Sequence, residues 1–437
     1  MKNELVLPDA PVRGVATLHT GDVAAVCAEI PACSVDAVLC DPPYHLTENS
    51  RKGSPRNVRR ETPFGRHTLG TDRGFMGQTW DGGDVAFRPE TWEAVQRVMK
   101  PGAYLMAFGG SRTFHRLAVA LEDAGFILID TLMWLYGTGF PKARDVAHDI
   151  DRKKGVLRRR VAPPYQPPGM AFPWNLRKAK NARAVNVFAS PRNTARTLPE
   201  SPEARQWDDY RTVLKPAFEP ILLFRKPGEP SYADNVLQWG CGALNIGGCR
   251  IPVAERPETA PPTEGRYPAN VILDPEAAAL LDTQQAGIRK SGAMRQGTSR
   301  HRTTSYALGV MPGRATAQDI PASEGGASRF FYTAKVSTAE RQAGMGEDIN
   351  DHPTLKPQDL IRYLATLILP PSRADGTPRR LLVPFSGAGS EMIGALQAGW
   401  EDVQGIEQQP DYQSIAERRI RHAGFPVVQG NVGFPRK

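Results

Sequence analysis

Two blocks of alternating strand and helix patterns flank a long middle stretch that follows neither, and this arrangement constrains the fold more than any single motif. In the first block "VAAVCAEI" (Val23 to Ile30) has helical apolar spacing and "VDAVLC" (Val35 to Cys40) reads as a short buried strand. "PETWEAVQRVMK" (Pro89 to Lys100) is an amphipathic helix with proline in its first turn, and "GAYLMAFGG" (Gly102 to Gly110) is a strand. "SRTFHRLAVALEDAG" (Ser111 to Gly125) reads as a helix opened by serine and closed by glycine, and "FILIDTLMWLY" (Phe126 to Tyr136) as a further strand. In the second block, after about His352, "KPQDLIRYLATLIL" is a helix with Leu360, Tyr363, Leu364 and Leu367 on one side. "RRLLVPF", "SEMIGALQAG", "EDVQGIE" and "PDYQSIAERRIRHAG" continue as strand, helix, strand, helix. Such alternation predicts an α/β fold, a parallel sheet with helices on both faces.

The middle stretch is rich in Arg, Lys and Pro from Pro141 to Pro216, returns briefly to strand character at "FEPILLFRKPG" (Phe218 to Gly228), then turns rich in Pro and Gly as far as Met345. "PANVILD" and "RFFYTAK" are too apolar for a disordered linker. The chain of 437 residues carries a net charge of +9, which suits a polyanionic partner such as nucleic acid as well as an ordinary solvated surface. No run of apolar residues long enough to span a membrane is present, and "MKNELVLPDAPVRG" lacks the apolar core of a signal peptide. Five cysteines, an odd number without a CxxC pair or a His cluster, point to a reduced protein with neither disulfides nor a metal site.

Two motifs carry chemistry. "LLVPFSGAGSEMIGALQAGW" is strand, glycine turn, helix, in which Gly387 and Gly389 let the backbone approach a ligand at the end of a parallel strand. "VQGIE" then ends a second strand on Glu407, where a carboxylate can accept hydrogen bonds from ribose hydroxyls. The turn is too short for a Walker loop and lacks its lysine. The other motif is Asp41-Pro42-Pro43-Tyr44, which ends the strand "VDAVLC". Asp41 supplies an acceptor, and the prolines have fixed φ and no N–H, so the turn offers carbonyl oxygens without competing donors. A group donating two hydrogen bonds, such as an exocyclic –NH2, fits a carboxylate and a backbone carbonyl together, and Tyr44 adds a flat face for stacking a base. Read alone, the four residues equally describe a turn with a capping aspartate and a core tyrosine.

These residues resemble a known family. Asp41-Pro42-Pro43-Tyr44 is similar to the catalytic motif of the amino-group DNA methyltransferases, and "VPFSGAGS" (Val383 to Ser390) to their S-adenosylmethionine motif. "GIEQQPDYQSIAERRI" resembles the acidic strand–helix unit that follows, "HPTLKPQDLIRYL" (His352 to Leu364) the segment packed over the methionine part of the cofactor, and "HTGDVAAV" the Gly-Asp segment before the catalytic motif. The resemblance covers roughly residues 16–140 and 350–425. One departure stands out: Val383-Pro384-Phe385 occupies the place of the family's usual Asp-Pro-Phe.

The order, catalytic motif before cofactor motif, is that of the β class. It implies a Rossmann-like S-adenosylmethionine-dependent methyltransferase fold, circularly permuted, with a large inserted target-recognition region. The implied domains are 1–145, the catalytic half; 146–349, the variable insertion, with a strand of the core sheet near 218–227; and 350–437, the cofactor-binding half. The implied catalytic residues are Asp41, Pro42, Pro43 and Tyr44. The implied cofactor-binding residues are Asp22, Asp41, Thr354, Lys356, Pro384, Phe385, Ser386, Gly387, Gly389, Ser390 and Glu407. The implied activity is methyl transfer from S-adenosylmethionine to N6 of adenine in double-stranded DNA after base flipping, in a phage- or prophage-type branch. Asp at the head of the motif favours adenine over N4 of cytosine, where Ser often stands. Cytosine N4, a DNA-binding protein of this fold with weak or no catalysis, and methylation of RNA or protein are the alternatives. Trp80 and Asp81 either enclose the base or anchor a loop, and the basic residues in 152–160 and 289–302 are candidate phosphate contacts. No metal and no membrane are expected, the location is cytoplasmic at the nucleoid, and a homodimer and a cognate restriction endonuclease, or none, stay open.

Overall fold

The computed structural model describes residues 14–45, 81, 84–137, 139, 143–159, 197–252, 265–284, 289–291, 302–303, 310–311, 323–334, 339–346, 350 and 355–430. They form two compact units, residues 1–138 with 217–437, and residues 139–216.

The larger unit is built on a ten-stranded sheet. Its strands are β1 (Val15–Thr20), β2 (Val35–Cys40), β3 (Met99–Phe108), β4 (Ile127–Leu135), β5 (Phe218–Arg225), β6 (Val271–Leu273), β7 (Tyr332–Thr333), β8 (Arg380–Pro384), β9 (Asp402–Glu407) and β10 (Val427–Gln429). Their order across the sheet is β7-β6-β4-β5-β3-β2-β8-β9-β1-β10. The helices of this unit are α1 (Val23–Glu29), α2 (Pro89–Val98), α3 (Phe114–Asp123), α6 (Tyr232–Trp239), α7 (Pro275–Gln284), α8 (Gln358–Leu367), α9 (Ser390–Ala398) and α10 (Pro410–His422). The smaller unit holds α4 (Val146–Lys153) and α5 (Pro202–Gln206).

All six residues of β2 are buried, because both faces of the sheet are covered. Ala37 and Leu39 point into a core shared with Leu360, Leu364 and Met392, so α8 and α9 cover that face. Val38 and Cys40 point into the opposite core with Val26, Trp92, Val95 and Leu121, the inner sides of α1, α2 and α3. The pairing that joins the two ends of the chain is β2 beside β8, with Ala37 opposite Leu381 and Val38 opposite Leu382. Sequence on either side of the middle stretch therefore closes one sheet. The connection from β2 leads to β3 on one side, while that from β8 leads to β9 on the other. The gap between β2 and β8 is thus the switch point at which open α/β sheets bind ligands.

The sheet departs from the all-parallel expectation in one strand. β5 lies between β3 and β4 and runs antiparallel to both. The reason is local. Tyr136, just past β4, donates its N–H to the carbonyl of Ala217, just before β5. The chain re-enters at the edge where it left, so β5 must run backwards. Of the stretch 146–349 set apart in sequence, β5, β6 and β7 run in this sheet, and the separate compact unit spans Gly139–Pro216. Within that unit Asp151 is fully buried. Its carboxylate accepts from Arg158 Nε at 2.7 Å, Ser201 Oγ at 2.6 Å, and the backbone N–H groups of Glu200 and Ser201. These bonds tie α4 to α5.

Candidate active site

Four neighbouring parallel strands, β2, β8, β9 and β1, place their carboxyl ends along one edge of the sheet. At the end of β2 the chain passes into Asp41, Pro42, Pro43 and Tyr44. Among the described residues no donor reaches the Pro42 carbonyl, and Asp41 Oδ1 is buried with no hydrogen-bond partner. The turn is held just beyond these acceptors. The Tyr44 carbonyl accepts from Thr113 Oγ1 at 2.9 Å, and the His45 N–H donates to Asp81 Oδ1 at 2.8 Å. His45 adopts φ +52°, a conformation uncommon for a residue with a Cβ. Asp81 is buried, which gives it a loop-anchoring place; Trp80 beside it lies outside the described residues.

The other oxygen of Asp41 faces a buried cation. Lys356 Nζ lies 3.2 Å from Asp41 Oδ2, 2.7 Å from Glu219 Oε2 and 2.9 Å from the Tyr44 hydroxyl. It also sits 4.7 Å from the Phe108 ring centroid and 5.1 Å from that of Tyr44. The Tyr44 hydroxyl completes the cluster by donating to Glu219 Oε2 at 3.3 Å. Burial alone would lower the pKa of Lys356, but the charges of Asp41 and Glu219 outweigh it and hold the ammonium above its ordinary range. Burial, reinforced by the same two carboxylates, drives the Tyr44 hydroxyl well above its own. Lys356 is therefore a fixed cation and Tyr44 a neutral phenol.

Glu219 belongs to no motif read from the sequence. It stands near the start of β5, and the signal was a carboxylate inside the otherwise apolar run "FEPILLF". Glu391, in the first turn of α9, reads from sequence as part of a helix start. Its carboxyl is buried, and burial together with the charge of Asp41 pushes its pKa up to about 7.

The glycine turn follows β8. Phe385 adopts φ +59° and Gly387 φ +48°, so the backbone turns sharply through conformations that side chains disfavour. Phe385 packs against Trp92, with ring centroids 6.2 Å apart. Ser386 donates its N–H to the Ile406 carbonyl at 2.9 Å, while its hydroxyl is buried without a partner among the described residues. Glu407 accepts from the Gly387 N–H at 2.8 Å through one oxygen and from the Gln409 N–H at 2.7 Å through the other. Burial raises its pKa against the pull of these N–H donors. Gly389 has φ +78°, and a Cβ there would lie 3.0 Å from the Ala416 Cβ, so α10 packs directly on the turn. The Ser390 hydroxyl accepts from Arg419 Nη1 at 3.1 Å. Val383, in place of an acid, is completely buried in the core beneath the turn.

Asp22 follows β1 and caps α1, accepting from the N–H groups of Ala24 at 2.9 Å and Ala25 at 3.2 Å. Gly21 next to it donates to the Glu407 carbonyl, so this cap adjoins the end of β9. Of the residues named from sequence, the structure brings Asp41, Pro42, Tyr44 and Lys356 together at β2. It brings Pro384, Phe385, Ser386, Gly387, Gly389, Ser390 and Glu407 together at β8 and β9. Pro43 is the rigid link between Pro42 and Tyr44. Thr354 lies outside the described residues, as do Arg160 and all of 292–301.

The cofactor test is whether this edge has unsatisfied polar atoms where S-adenosylmethionine would bind. It has the buried Ser386 hydroxyl and Asp41 Oδ1. The Glu407 carboxylate takes backbone N–H bonds on both oxygens and keeps lone-pair capacity for a hydroxyl donor. The residues present fit the group.

A sheet of this topology, with an acceptor pair on one side of the switch point and a glycine turn on the other, has the form of an α/β nucleotide-binding fold. The chain matches a family model described as DNA methylase over residues 35–418, and it belongs to that family. It is similar to the type II methyltransferase M.HindIII of Haemophilus influenzae, 24% identical over 232 residues. That match covers 48% of this chain and 59% of the relative, so the chain spans little more than half the length of that protein. Among solved structures it resembles the cytosine-N4-specific PvuII DNA methyltransferase, with a TM-score of 0.42 and 11% identity over 95% of this chain and 94% of that one. It also resembles the M1.HpyAVI–SAM complex, with a TM-score of 0.37 and 11% identity over 93% and 98%.

Proposed function

We propose that the protein is a site-specific DNA methyltransferase that methylates the N6 amine of adenine in double-stranded DNA with S-adenosylmethionine as donor. The observation that carries this reading is the acceptor pair, Asp41 Oδ1 and the Pro42 carbonyl, without partners among the described residues at the end of β2, the strand that neighbours β8 and its glycine turn across the switch point. The aromatic amine is a poor nucleophile because its lone pair is delocalised into the ring. Asp41 and Pro42 accept its two N–H bonds and draw them out of the ring plane, which localises the lone pair. S-adenosylmethionine, when bound, supplies an electrophilic methyl group. The positive charge that develops on the amine meets the Asp41 carboxylate already in place, which is electrostatic preorganisation. The nitrogen would form its bond to the methyl group as the donor's S–CH3 bond breaks to leave a neutral thioether, and the cationic amine would release one N–H proton to solvent to become a neutral secondary amine. No cysteine nucleophile is required.

Ser386, Gly387 and Glu407 would hold the cofactor, with Phe385, Gly389 and Ser390 shaping their turn and Asp22 capping α1 beside the end of β9. The base must leave the duplex, at a cost of a few kcal/mol. Tyr44 offers a ring for stacking, worth roughly 1–3 kcal/mol per base, and its hydroxyl bonds fix the ring plane.

The DNA assignment draws on charge. Residues 139–216 contain 17 Lys and Arg against 7 Asp and Glu, a balance of +10, while the whole chain carries +9. The excess positive charge of the chain thus resides in this one compact unit. On it, Trp207 and Tyr210 are 45% and 57% exposed and pack edge to face at 5.0 Å. Basic charge with exposed aromatic rings suits contact with phosphates and unstacked bases. We assign target recognition to this unit.

The test is incubation of the purified protein with labelled S-adenosylmethionine and unmethylated DNA, followed by digestion to nucleosides. Label in N6-methyldeoxyadenosine is expected. Label in N4-methyldeoxycytidine would replace the base, and no label in DNA despite cofactor binding would overturn the enzyme reading.

A further inference from the structure

The ammonium of Lys356 presents a difficulty for the reading above. It is a buried, permanent cation 3.2 Å from the carboxylate that has to stabilise a developing positive charge. Left with Asp41 alone, it would neutralise that carboxylate and draw both oxygens into an ion pair. The structure avoids this. Lys356 lies closer to Glu219, at 2.7 Å, than to Asp41, and Asp41 Oδ1 stays bare. The phenol of Tyr44 bridges the same pair. Asp41, Lys356 and Glu219 together carry one net negative charge, which is the charge the transition state needs.

Resting on the methyltransferase reading, we propose that Glu219 is a positioning residue. It neutralises Lys356 so that Asp41 keeps its charge and its free oxygen for the target amine. Lys356 is then the strut that fixes Asp41 and Tyr44, and Glu219 cancels its field. The antiparallel strand β5, between β3 and β4, serves this arrangement by starting at the edge where the parallel strands end and so bringing a carboxylate from the middle of the chain to Lys356. The claim is one of charge balance. Removing either member of the Lys356–Glu219 pair shifts the net charge of the cluster by one unit, whereas removing both restores it.

Single-turnover methyl transfer at saturating cofactor and DNA tests this with the full chain and the variants Glu219→Gln, Lys356→Met and the double substitution. Glu219→Gln is expected to slow transfer on the order of 10- to 100-fold, with the S-adenosylmethionine Kd within about threefold of wild type. Lys356→Met leaves Asp41 and Glu219 as facing like charges and is expected to be slow as well. The double variant is expected to be at least about fivefold faster than Glu219→Gln. Glu219→Asp, which keeps the charge, is expected within about tenfold of wild type and serves where Glu219→Gln does not fold. A Glu219→Gln rate equal to wild type, or a double variant no faster than the slower single one, overturns the proposal while leaving the methyltransferase reading intact. A wild type that transfers no methyl group to DNA overturns both.

Discussion

Two carboxylates end parallel strands at the same edge of the sheet, and they are treated in opposite ways. Glu407, the last residue of β9, spends both oxygens on backbone N–H groups and has no cation beside it among the described residues. It is part of the scaffold of the glycine turn, with capacity left for hydroxyl donors. Asp41, after β2, accepts no backbone N–H among the described residues, faces Lys356 with one oxygen and keeps the other bare in a buried setting. An unsatisfied buried acceptor costs roughly 1–3 kcal/mol. A fold that keeps one, and surrounds it with a cation, a second carboxylate and a phenol, suits the ligand-facing role proposed for Asp41. The comparison separates a carboxylate bonded into the backbone of the glycine turn from one that takes no backbone bond among the described residues and that we propose meets the reacting amine.

The largest effect that would break this comparison is on Asp41. Asp41→Ala is expected to reduce single-turnover methyl transfer about 1,000-fold, as for loss of a charged transition-state partner. A variant transferring at the wild-type rate would remove Asp41 from the chemistry.

Next comes Glu391, whose buried carboxyl has a pKa of about 7 against 4.5 for an exposed one. Between those values the folded state binds more protons than the unfolded one. The stability this group contributes is therefore complete below about pH 4.5 and lost as pH rises through about 7, by on the order of 3 kcal/mol. Glu391→Gln should flatten the fall in Tm between about pH 5 and pH 8. An unchanged Tm profile would place the carboxyl in a more polar setting than its burial indicates.

Gly389→Ala forces a Cβ into the left-handed region and against α10, and should lower unfolding free energy by roughly 1–3 kcal/mol in urea titration. A variant as stable as wild type would show that the turn tolerates a side chain. The smallest effect is Asp22→Ala, which removes the α1 cap at a cost of about 1 kcal/mol. If S-adenosylmethionine affinity falls more than tenfold while stability is unchanged, Asp22 belongs to the cofactor site more than to the helix.

Most of this edge was legible in the sequence, because each piece is local. "VDAVLC" is buried on both faces and reads as the strand it is, and the glycine turn with Glu407 twenty residues on announces itself by spacing alone. The family resemblance supplied the order of the halves, and the β2–β8 pairing shows how that order closes one sheet. What was not legible is direction and distance. Nothing in "FEPILLF" says that the strand runs backwards between β3 and β4, because direction is set by where the chain re-enters. Lys356 was read as a residue over the cofactor, and its ammonium is turned to Asp41, Glu219 and Tyr44. That meeting joins residues from three distant stretches of one chain, and no local pattern encodes it. The fully buried Val383 shows the converse: a family acid gives way to a core residue.

The central claim is that the two strand-end carboxylates divide the work, and isothermal titration of S-adenosylmethionine into Asp41→Ala and Glu407→Ala measures it directly. The account predicts a Kd within about threefold of wild type for Asp41→Ala and at least about tenfold weaker for Glu407→Ala, which loses the proposed ribose acceptor and the support of the turn. Abolished binding in Asp41→Ala with unchanged binding in Glu407→Ala would contradict it.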